Sequence, residues 1–469
     1  MKMQSMIDAV CDEIKQNLND FCNQADLDRL TPEVAEQMSR ALSRALGAGG
    51  VAGYRAFLCQ YESDADAVAH ENKTMRFKMV QEKMFVTPFG KMTLPRRLYQ
   101  ADRGGRCHVP LDAAWGMEGQ FASLEVREAV LYGCGLITPV ETETMLKKCA
   151  LFQPSSTAIK HIVNGMGQWV EDHVPAVREQ MQINDAAPEN TRVFGTGLDG
   201  VNVPLREHGV KRGRPGERPG KQEKAAQPTT WKNAMVGSFT YYGEVPEGQK
   251  SPARLASRYL ARMPEDRAPT FKTAFECELA HAESMLPEDI EKVLVCDGAR
   301  GLWNYIEQNK RFDGYNKILD YFHAAEHLSA LSEALFGKKS GDGTKWYDKY
   351  REKLLNEDLA AHAILRSAGY YLKQNKLSKA GRADALREKT FFQRNKHRMT
   401  YADFRRRGLP IGSGVVEAAC KNIVKSRLCR SGMRWSRTGG QHILHLRAQI
   451  KSGRWDDFWD AYKTLRKTA

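Results

Sequence analysis

Between residues 31 and 46 the apolar positions Val34, Met38, Leu42 and Leu46 recur at every fourth place, the spacing of one helix face. Thr31-Pro32 in front of them supplies a cap and a first-turn proline. The face is expected to continue past a break at Gly47 to Gly50 and to pack internally or on a second subunit. Residues 76 to 112 change period. Arg76-Phe77-Lys78-Met79-Val80 and Met92-Thr93-Leu94-Pro95-Arg96-Arg97-Leu98-Tyr99 read as short strands around Thr87-Pro88-Phe89-Gly90-Lys91. Helices return from Ser123 to His173, with segments at 125–132, 140–149 and 155–163. A short helix, a turn through Phe152-Gln153-Pro154 and a second helix headed by Ser155 have the shape of a helix-turn-helix, although ordinary helical packing gives the same pattern.

Beyond Asn184 the alternation is that of strands. Val193 to Leu205 predicts a strand or hairpin containing Asp199-Gly200, and Trp231 to Tyr242 predicts the next strand. Phe271 to Met285 is helical, and the apolar run Lys292-Val293-Leu294-Val295-Cys296 is a buried strand that delivers Asp297-Gly298 at its carboxyl end. A helix over 302–307 and a strand at Lys317-Ile318-Leu319-Asp320 follow, which together predict a mixed sheet flanked by helices. From Ala324 to about His397 the pattern is helical, interrupted mainly at 338–344. The chain therefore divides into 1–75, helical and suited to oligomerisation; 76–118, strand-rich; 119–183, helical; 184–323, the first part of an α/β core; 324–407, a helical insertion; and 408–469, the end of the core with a basic C-terminal region.

Composition narrows the partners. A formal charge of +14 over 469 residues favours a polyanion. No apolar run approaches eighteen residues, so no spanning helix is expected, and the polar start after Val10 argues against a secretory signal. Ten scattered cysteines without a CxxC pair fit reduced thiols in a cytoplasmic protein. Residues 206–224 carry seven Lys/Arg against three Glu among Gly and Pro, the composition of an exposed cationic loop. Residues 366–407 hold thirteen Lys/Arg against three acids, and 418–454 hold nine Lys/Arg and no acid.

Within that basic end one carboxylate stands out, Glu417, after Pro410-Ile411-Gly412-Ser413-Gly414. It could pair with Lys421 one turn on, worth about 0.2–0.5 kcal/mol. The glycines permit close backbone approach, and Ser413 or a neighbour can cap the helix, so the position of Glu417 is fixed by its surroundings. Grouped with Asp199 and Asp297 it makes a set of hard oxygen donors for divalent cations, and two ions ~3.5–4 Å apart can serve phosphoryl transfer. For either Asp-Gly taken alone, a turn is the ordinary explanation.

Four pieces in order carry a resemblance: Thr196-Gly197-Leu198-Asp199-Gly200-Val201-Asn202-Val203-Pro204-Leu205, Val295-Cys296-Asp297-Gly298-Ala299, Asp320-Tyr321-Phe322-His323-Ala324-Ala325-Glu326-His327-Leu328, and Gly412 to Glu417. Over roughly residues 100 to 460 the chain resembles bacterial insertion-sequence DDE transposases of the ISKra type. The resemblance implies a ribonuclease H-like α/β catalytic domain with a large all-helical insertion, preceded by helical and small strand-rich DNA-binding modules. It implies a catalytic and metal-binding triad of Asp199, Asp297 and Glu417, holding Mg²⁺ (Mn²⁺ substituting), two ions in the expected arrangement, with Asp320 and His323 supporting. A packing pair that fixes the insertion is the alternative for Asp320 and His323. His327 lies one turn beyond and invites a zinc reading, for which no fourth ligand is evident. Where relatives carry a cysteine-rich zinc ribbon this chain keeps only Cys107, so no structural zinc is expected.

The implied activity is cleavage and strand transfer of double-stranded DNA at terminal inverted repeats, into target DNA, by a homodimer or higher homo-oligomer in the bacterial cytoplasm at the nucleoid. The alternatives are a catalytically inactive DNA-binding regulator of the same ancestry and a ribonuclease H-like nuclease. Residues expected to contact DNA are Lys160 in the helix-turn-helix segment; Lys211, Arg212 and Arg214 in the cationic loop; Arg405, Arg406 and Arg407; and Lys421, Lys425, Arg427, Arg430, Arg434 and Arg437. Trp435 is placed to stack on a base. The strand-rich element at 76–118 is read as a DNA-contacting module or as a packed linker.

Overall fold

The computed structural model describes residues 2–25, 29–102, 104–150, 152–206 and 231–468. The chain forms two compact units, Met1–Val177 with Asp456–Ala469, and Arg178–Trp455. The expected contacts of Lys211, Arg212 and Arg214 lie outside the described residues.

The first unit opens with α1 (Lys2–Gln24) packed on α2 (Pro32–Cys59). Thr31 caps α2, its hydroxyl accepting from the Val34 N–H at 3.3 Å. The helix runs through Gly47 to Gly50 without a break, which corrects the expectation. A Cβ on Gly49 would lie 2.6 Å from Ile14, so the small residues are where α1 comes close. The buried face is Ala41, Ala45, Gly49 and Gly53, while Leu42 and Leu46 stay 42% and 58% exposed. Close approach of the backbones selects the small-residue face over the leucine face.

Strands β1 (Ala67–His70), β2 (Lys73–Thr87) and β3 (Gly90–Ala101) form an antiparallel sheet in that order. Against it lies α3 (Pro110–Ala114), whose Asp112 accepts from the buried Arg96 at 2.5 Å. Helices α4 (Leu124–Leu136), α5 (Pro139–Cys149) and α6 (Ser156–Asp172) pack on one another. A capping box of Thr138 and Glu141 starts α5, and the Ser155 hydroxyl caps α6. The C-terminal residues of this unit are tied in where Arg127 donates to the Tyr462 hydroxyl at 2.9 Å. Helix α7 (Val174–Gln182) follows α6.

The second unit is built on a five-stranded mixed sheet. Its strands are β4 (Val193–Pro204), β5 (Trp231–Tyr242), β6 (Arg254–Arg262), β7 (Glu291–Cys296) and β8 (Asn316–Leu319), in the order β6-β5-β4-β7-β8. The first three pair antiparallel, and β7 and β8 continue in parallel. Asp199-Gly200 lies inside the continuous β4 ladder, Asp199 opposite Val236, and makes no turn. Helix α8 (Pro269–Ser284) covers the sheet with Phe271 and Phe275, and α9 (Arg300–Gln308) joins β7 to β8. The insertion comprises α10 (Tyr321–Phe336), α11 (Gly341–Asn356), α12 (Ala360–Gln374), α13 (Lys379–Asn395) and α14 (Tyr401–Arg406). Its buried residues belong to the same apolar core as the sheet, from Leu294 and Ile318 through Leu328 to Leu354 and Phe392. The insertion is therefore not an independently cored appendage.

The chain returns through α15 (Gly414–Ala419), a π-helical turn at Cys420–Lys425, α16 (Ser426–Leu428), α17 (Arg437–Lys451) and α18 (Trp455–Thr468). Among the described residues, no helix is long and apolar enough to cross a membrane.

Candidate functional site

Strand register places the first two acids. Thr196 pairs with Leu294 in the parallel β4–β7 ladder, so three residues further along each chain Asp199 comes beside Asp297. Adjacent strands lie about 4.8 Å apart. The next ladder repeats the arrangement. Cys296 pairs with Leu319, and the Asp320 N–H donates to the Cys296 carbonyl at 2.8 Å, which brings Asp320 beside Asp297. Three aspartates thus stand in one row on neighbouring strands, Asp199 inside β4 and Asp297 and Asp320 just past the ends of β7 and β8, a consequence of register that spacing along the chain does not reveal.

Glu417 reaches the same place from α15. A Cβ on Gly197 would sit 2.9 Å from the Val295 carbonyl oxygen and 3.3 Å from Val416, so only glycine lets α15 lie against β4. Burial pushes the Asp199 carboxyl above its ordinary value. Hydrogen bonds from the Cys420 thiol and the Gly200 N–H oppose that, and the charges of Asp297 and Glu417 add to it. The three acids therefore share one electrostatic environment.

Each carboxylate is committed to a protein donor. Asp199 accepts from the Gly200 N–H at 2.6 Å, and Asp297 accepts from the Ala299 N–H at 2.9 Å. The Ser413 hydroxyl donates to Glu417. Ser413 thus holds Glu417 instead of capping α15 with its side chain, and Glu417 makes no ion pair with Lys421. Among the described residues, no group of three or more His, Cys, Asp or Glu side chains is set to hold a metal ion. The oxygen-only donor set and the mutual repulsion at Asp199 suit a hard cation, but the site is not preformed for one. A bound cation would share these carboxylates with the Cys420 and Ser413 hydrogen bonds, since each carboxylate accepts at two oxygens.

Asp320 does different work. It is 1% exposed. One oxygen accepts the His323 N–H at 2.6 Å and caps α10, and the other accepts the Ser413 N–H at 2.5 Å. Together with the Tyr321 N–H to the Ile411 carbonyl at 3.0 Å, this fastens the segment carrying Glu417 to the end of β8. The His323 ring does not meet Asp320. It packs over Gly298, where a Cβ would lie 2.9 Å from its Nε2 and 2.7 Å from Phe391. His327 stacks on Phe391 at 3.6 Å and bonds Glu388 at 2.5 Å.

Sequence reasoning missed Cys420, Phe391 and Arg447. Arg447 is 3% exposed, and it donates to the Ile423 carbonyl at 2.6 Å and to that of Asn422, both acceptors that the π-helical turn frees from the ordinary ladder. Burial, with Arg427 beside it, lowers its guanidinium to about 10. The turn aims Cys420 at Asp199. Its only sequence signal is the unbroken helical run, which hides the extra residue.

The expected DNA-contacting residues fall into two groups. Arg405 donates to the Leu355 carbonyl and to Asn356, Arg406 pairs with Asp358 and Asp403, and Arg407 pairs with Glu291 and Asp403. Arg427 is 1% exposed with its guanidinium over Trp435 at 5.1 Å. Trp435 extends the β4 end by a bridge to Leu205 and donates its indole N–H to the Leu428 carbonyl, while Arg437 donates to the Pro264 carbonyl. Arg427 and Trp435 are packed into the fold, whereas Arg406 and Arg407 make their ion pairs at the surface, 57% and 36% exposed. Lys421, Lys425, Arg430 and Arg434 are exposed around the Glu417 helix, and Lys160 is exposed on α6.

No known family model matches the chain, and no curated protein sequence does. Among solved structures, the Drosophila P element transposase strand transfer complex is similar at 12% identity, over 74% of this chain and 80% of that one, with a TM-score of 0.25. A likeness at that score supports no inference about this protein. What the chain itself defines is a mixed α/β unit with a row of acids across three neighbouring strands.

Proposed function

We propose that the second unit is the catalytic domain of a DNA transposase of the DDE class, cutting and joining DNA strands with divalent metal. One observation carries the reading: Asp199, Asp297 and Glu417, more than two hundred residues apart at the extremes, meet electrostatically on the sheet, and the stretch that follows Glu417, residues 418–454, carries positive charges and no acid. Three antiparallel strands continued by two parallel ones, with a helical insertion ahead of the last acid, support a ribonuclease H-like core, and the order of the four ISKra-type motifs agrees with it.

On this reading Asp199, Asp297 and Glu417 would hold Mg²⁺ or Mn²⁺, which would supply charge stabilisation and a more acidic attacking hydroxyl in phosphoryl transfer. The chain's own residues do the rest. The Gly200 and Ala299 N–H groups and the Ser413 hydroxyl orient the carboxylates, Asp320 holds the Glu417 segment in place, and Lys421, Lys425 and Arg434 attract the phosphate backbone. Paired element ends require at least two copies of the chain, and the activity places the protein at the bacterial nucleoid.

Asp199→Ala, Asp297→Ala and Glu417→Ala should each abolish Mg²⁺-dependent cleavage of duplexes carrying the DNA that flanks this coding sequence, with DNA binding retained. Retained cleavage in all three sinks the proposal.

A further inference from the structure

A cavity of the second unit lies beside this site and takes no part in the chemistry described. It has a volume of about 740 Å³, between α9 and α13, and Gly298, next to Asp297, forms part of its wall. That volume falls in the range of about 300–1,000 Å³ typical of small-molecule pockets. Its inner charges are neutralised: Arg398 pairs with Glu307 at 2.7 Å and covers Trp303 at 3.9 Å, and the buried Glu388 is met by His327 at 2.5 Å and by the exposed Arg387 at 3.0 Å. Its rim is different. Arg300 and Arg394 are exposed and make no ion pair among the described residues, and the Asn304 amide there makes no hydrogen bond. Leu386, 47% exposed, and Phe391, with His327 on one face, give the interior an apolar surface.

A neutral, partly apolar interior under a cationic rim suits a ligand that is planar and uncharged at one end and anionic at the other. We infer that the cavity takes one nucleotide of the DNA strand being cut, its base turned out of the stack into the space beside Leu386 and Phe391 and its phosphate at Arg300 and Arg394. The inference rests on the reading of the neighbouring acids as a strand-cutting site. The strand is favoured over a free nucleotide because the cavity wall runs directly into the Asp297-Gly298 loop, so a base held there belongs to a nucleotide close to the phosphate presented to Asp297. Taking out an unpaired base costs least, which makes single-stranded or frayed ends the favoured occupants.

The test uses the full chain and a 5′-phosphorylated single-stranded hexanucleotide carrying 2-aminopurine, with an abasic hexanucleotide and free 2-aminopurine deoxyriboside monophosphate as the other arms. The expected result is saturable quenching of the base, with affinity about tenfold lower for the abasic strand, as for loss of one stacked base, and similarly lower for Arg300→Gln/Arg394→Gln. Leu386→Trp, at an exposed position, should fill the space and remove the quenching without moving the thermal melt. Equal affinity for the abasic strand, or quenching unchanged in Leu386→Trp, overturns the inference. Tighter binding of the free monophosphate than of the hexanucleotide overturns the assignment to a strand. The wild-type protein separates the two readings: base-dependent quenching in wild type that shows no metal-dependent cleavage refutes the transposase reading alone, while wild-type cleavage with no base-dependent quenching refutes the cavity alone; Asp297→Asn should keep the quenching and lose the cleavage.

Discussion

Asp320 offers the sharpest perturbation, because its two oxygens each satisfy a different backbone donor. One accepts from His323 as the cap of α10 and the other from Ser413, at 2.6 and 2.5 Å, with the side chain 1% exposed. Asp320→Ala removes both. Loss of an N-cap costs about 0.5–2 kcal/mol, and stranding the buried Ser413 N–H costs about 1–3 kcal/mol. The expected destabilisation of the second unit is therefore about 1.5–5 kcal/mol. Asp320→Asn keeps the cap, since asparagine caps as well as aspartate, but offers only one oxygen. Its amide group then faces the Ser413 N–H, donor against donor, and about 1–3 kcal/mol is lost there. Urea unfolding followed by tryptophan fluorescence should rank the wild type above Asn and Asn above Ala. Mg²⁺-dependent cleavage should fall at least tenfold in both variants under conditions where both remain folded, because the released segment carries Ser413 and Glu417. An Asn variant with wild-type cleavage and midpoint, or an Ala variant destabilised by less than about 1 kcal/mol, refutes the claim that Asp320 fastens Glu417 to the sheet.

Three further outcomes are expected. Gly298→Ala would press a methyl group on His323 and Phe391, a contact of 2.7–2.9 Å, and overpacking of that kind costs about 1–3 kcal/mol; cleavage should drop with DNA affinity unchanged, as measured by fluorescence anisotropy. Asp199, raised by burial with Asp297 and Glu417 adding to it, is a carboxyl whose ionisation opposes folding above its unfolded value, a cost relieved as pH falls through its folded value. Asp199→Asn should therefore melt higher than wild type at pH 7 in EDTA, and saturating Mg²⁺ should narrow the gap by stabilising only the wild type. Burial lowers His108 and His397, assisted by the charges of His70 and Arg398 respectively. Their contribution to stability is present above an unfolded value of about 6.5 and is lost as pH drops below it, so the thermal midpoint should fall between pH 7 and 5, and less steeply in His108→Gln/His397→Gln.

Much of this site was legible in the chain. The apolar run before Asp297, the alternation around Asp199 and the lone acid of the basic C-terminal region are local patterns, and local patterns report which elements form. The β6 strand escaped notice because Arg254, Arg258 and Arg262 interrupt its apolar positions, and its partner β5, not its own composition, makes it a strand. In α2 the leucine period pointed to one face while the backbone approach of α1 buried the other, since helix contact depends on the space that Ala45 and Gly49 leave and not on apolarity alone.

Sequence by itself determined the kinds of element, their order, the acids and the excess of positive charge, because helix and strand periods and residue chemistry are written over a few neighbouring positions. Tertiary structure decided the rest. Register across β4, β7 and β8 set Asp199, Asp297 and Asp320 in one row; the π-helical turn, held by Arg447, brought Cys420 to Asp199; and arginines that look alike in the chain divided into buried braces and exposed cations. Those outcomes depend on contacts between residues tens to hundreds of positions apart, where burial and hydrogen-bond satisfaction choose among arrangements that the local pattern leaves equal.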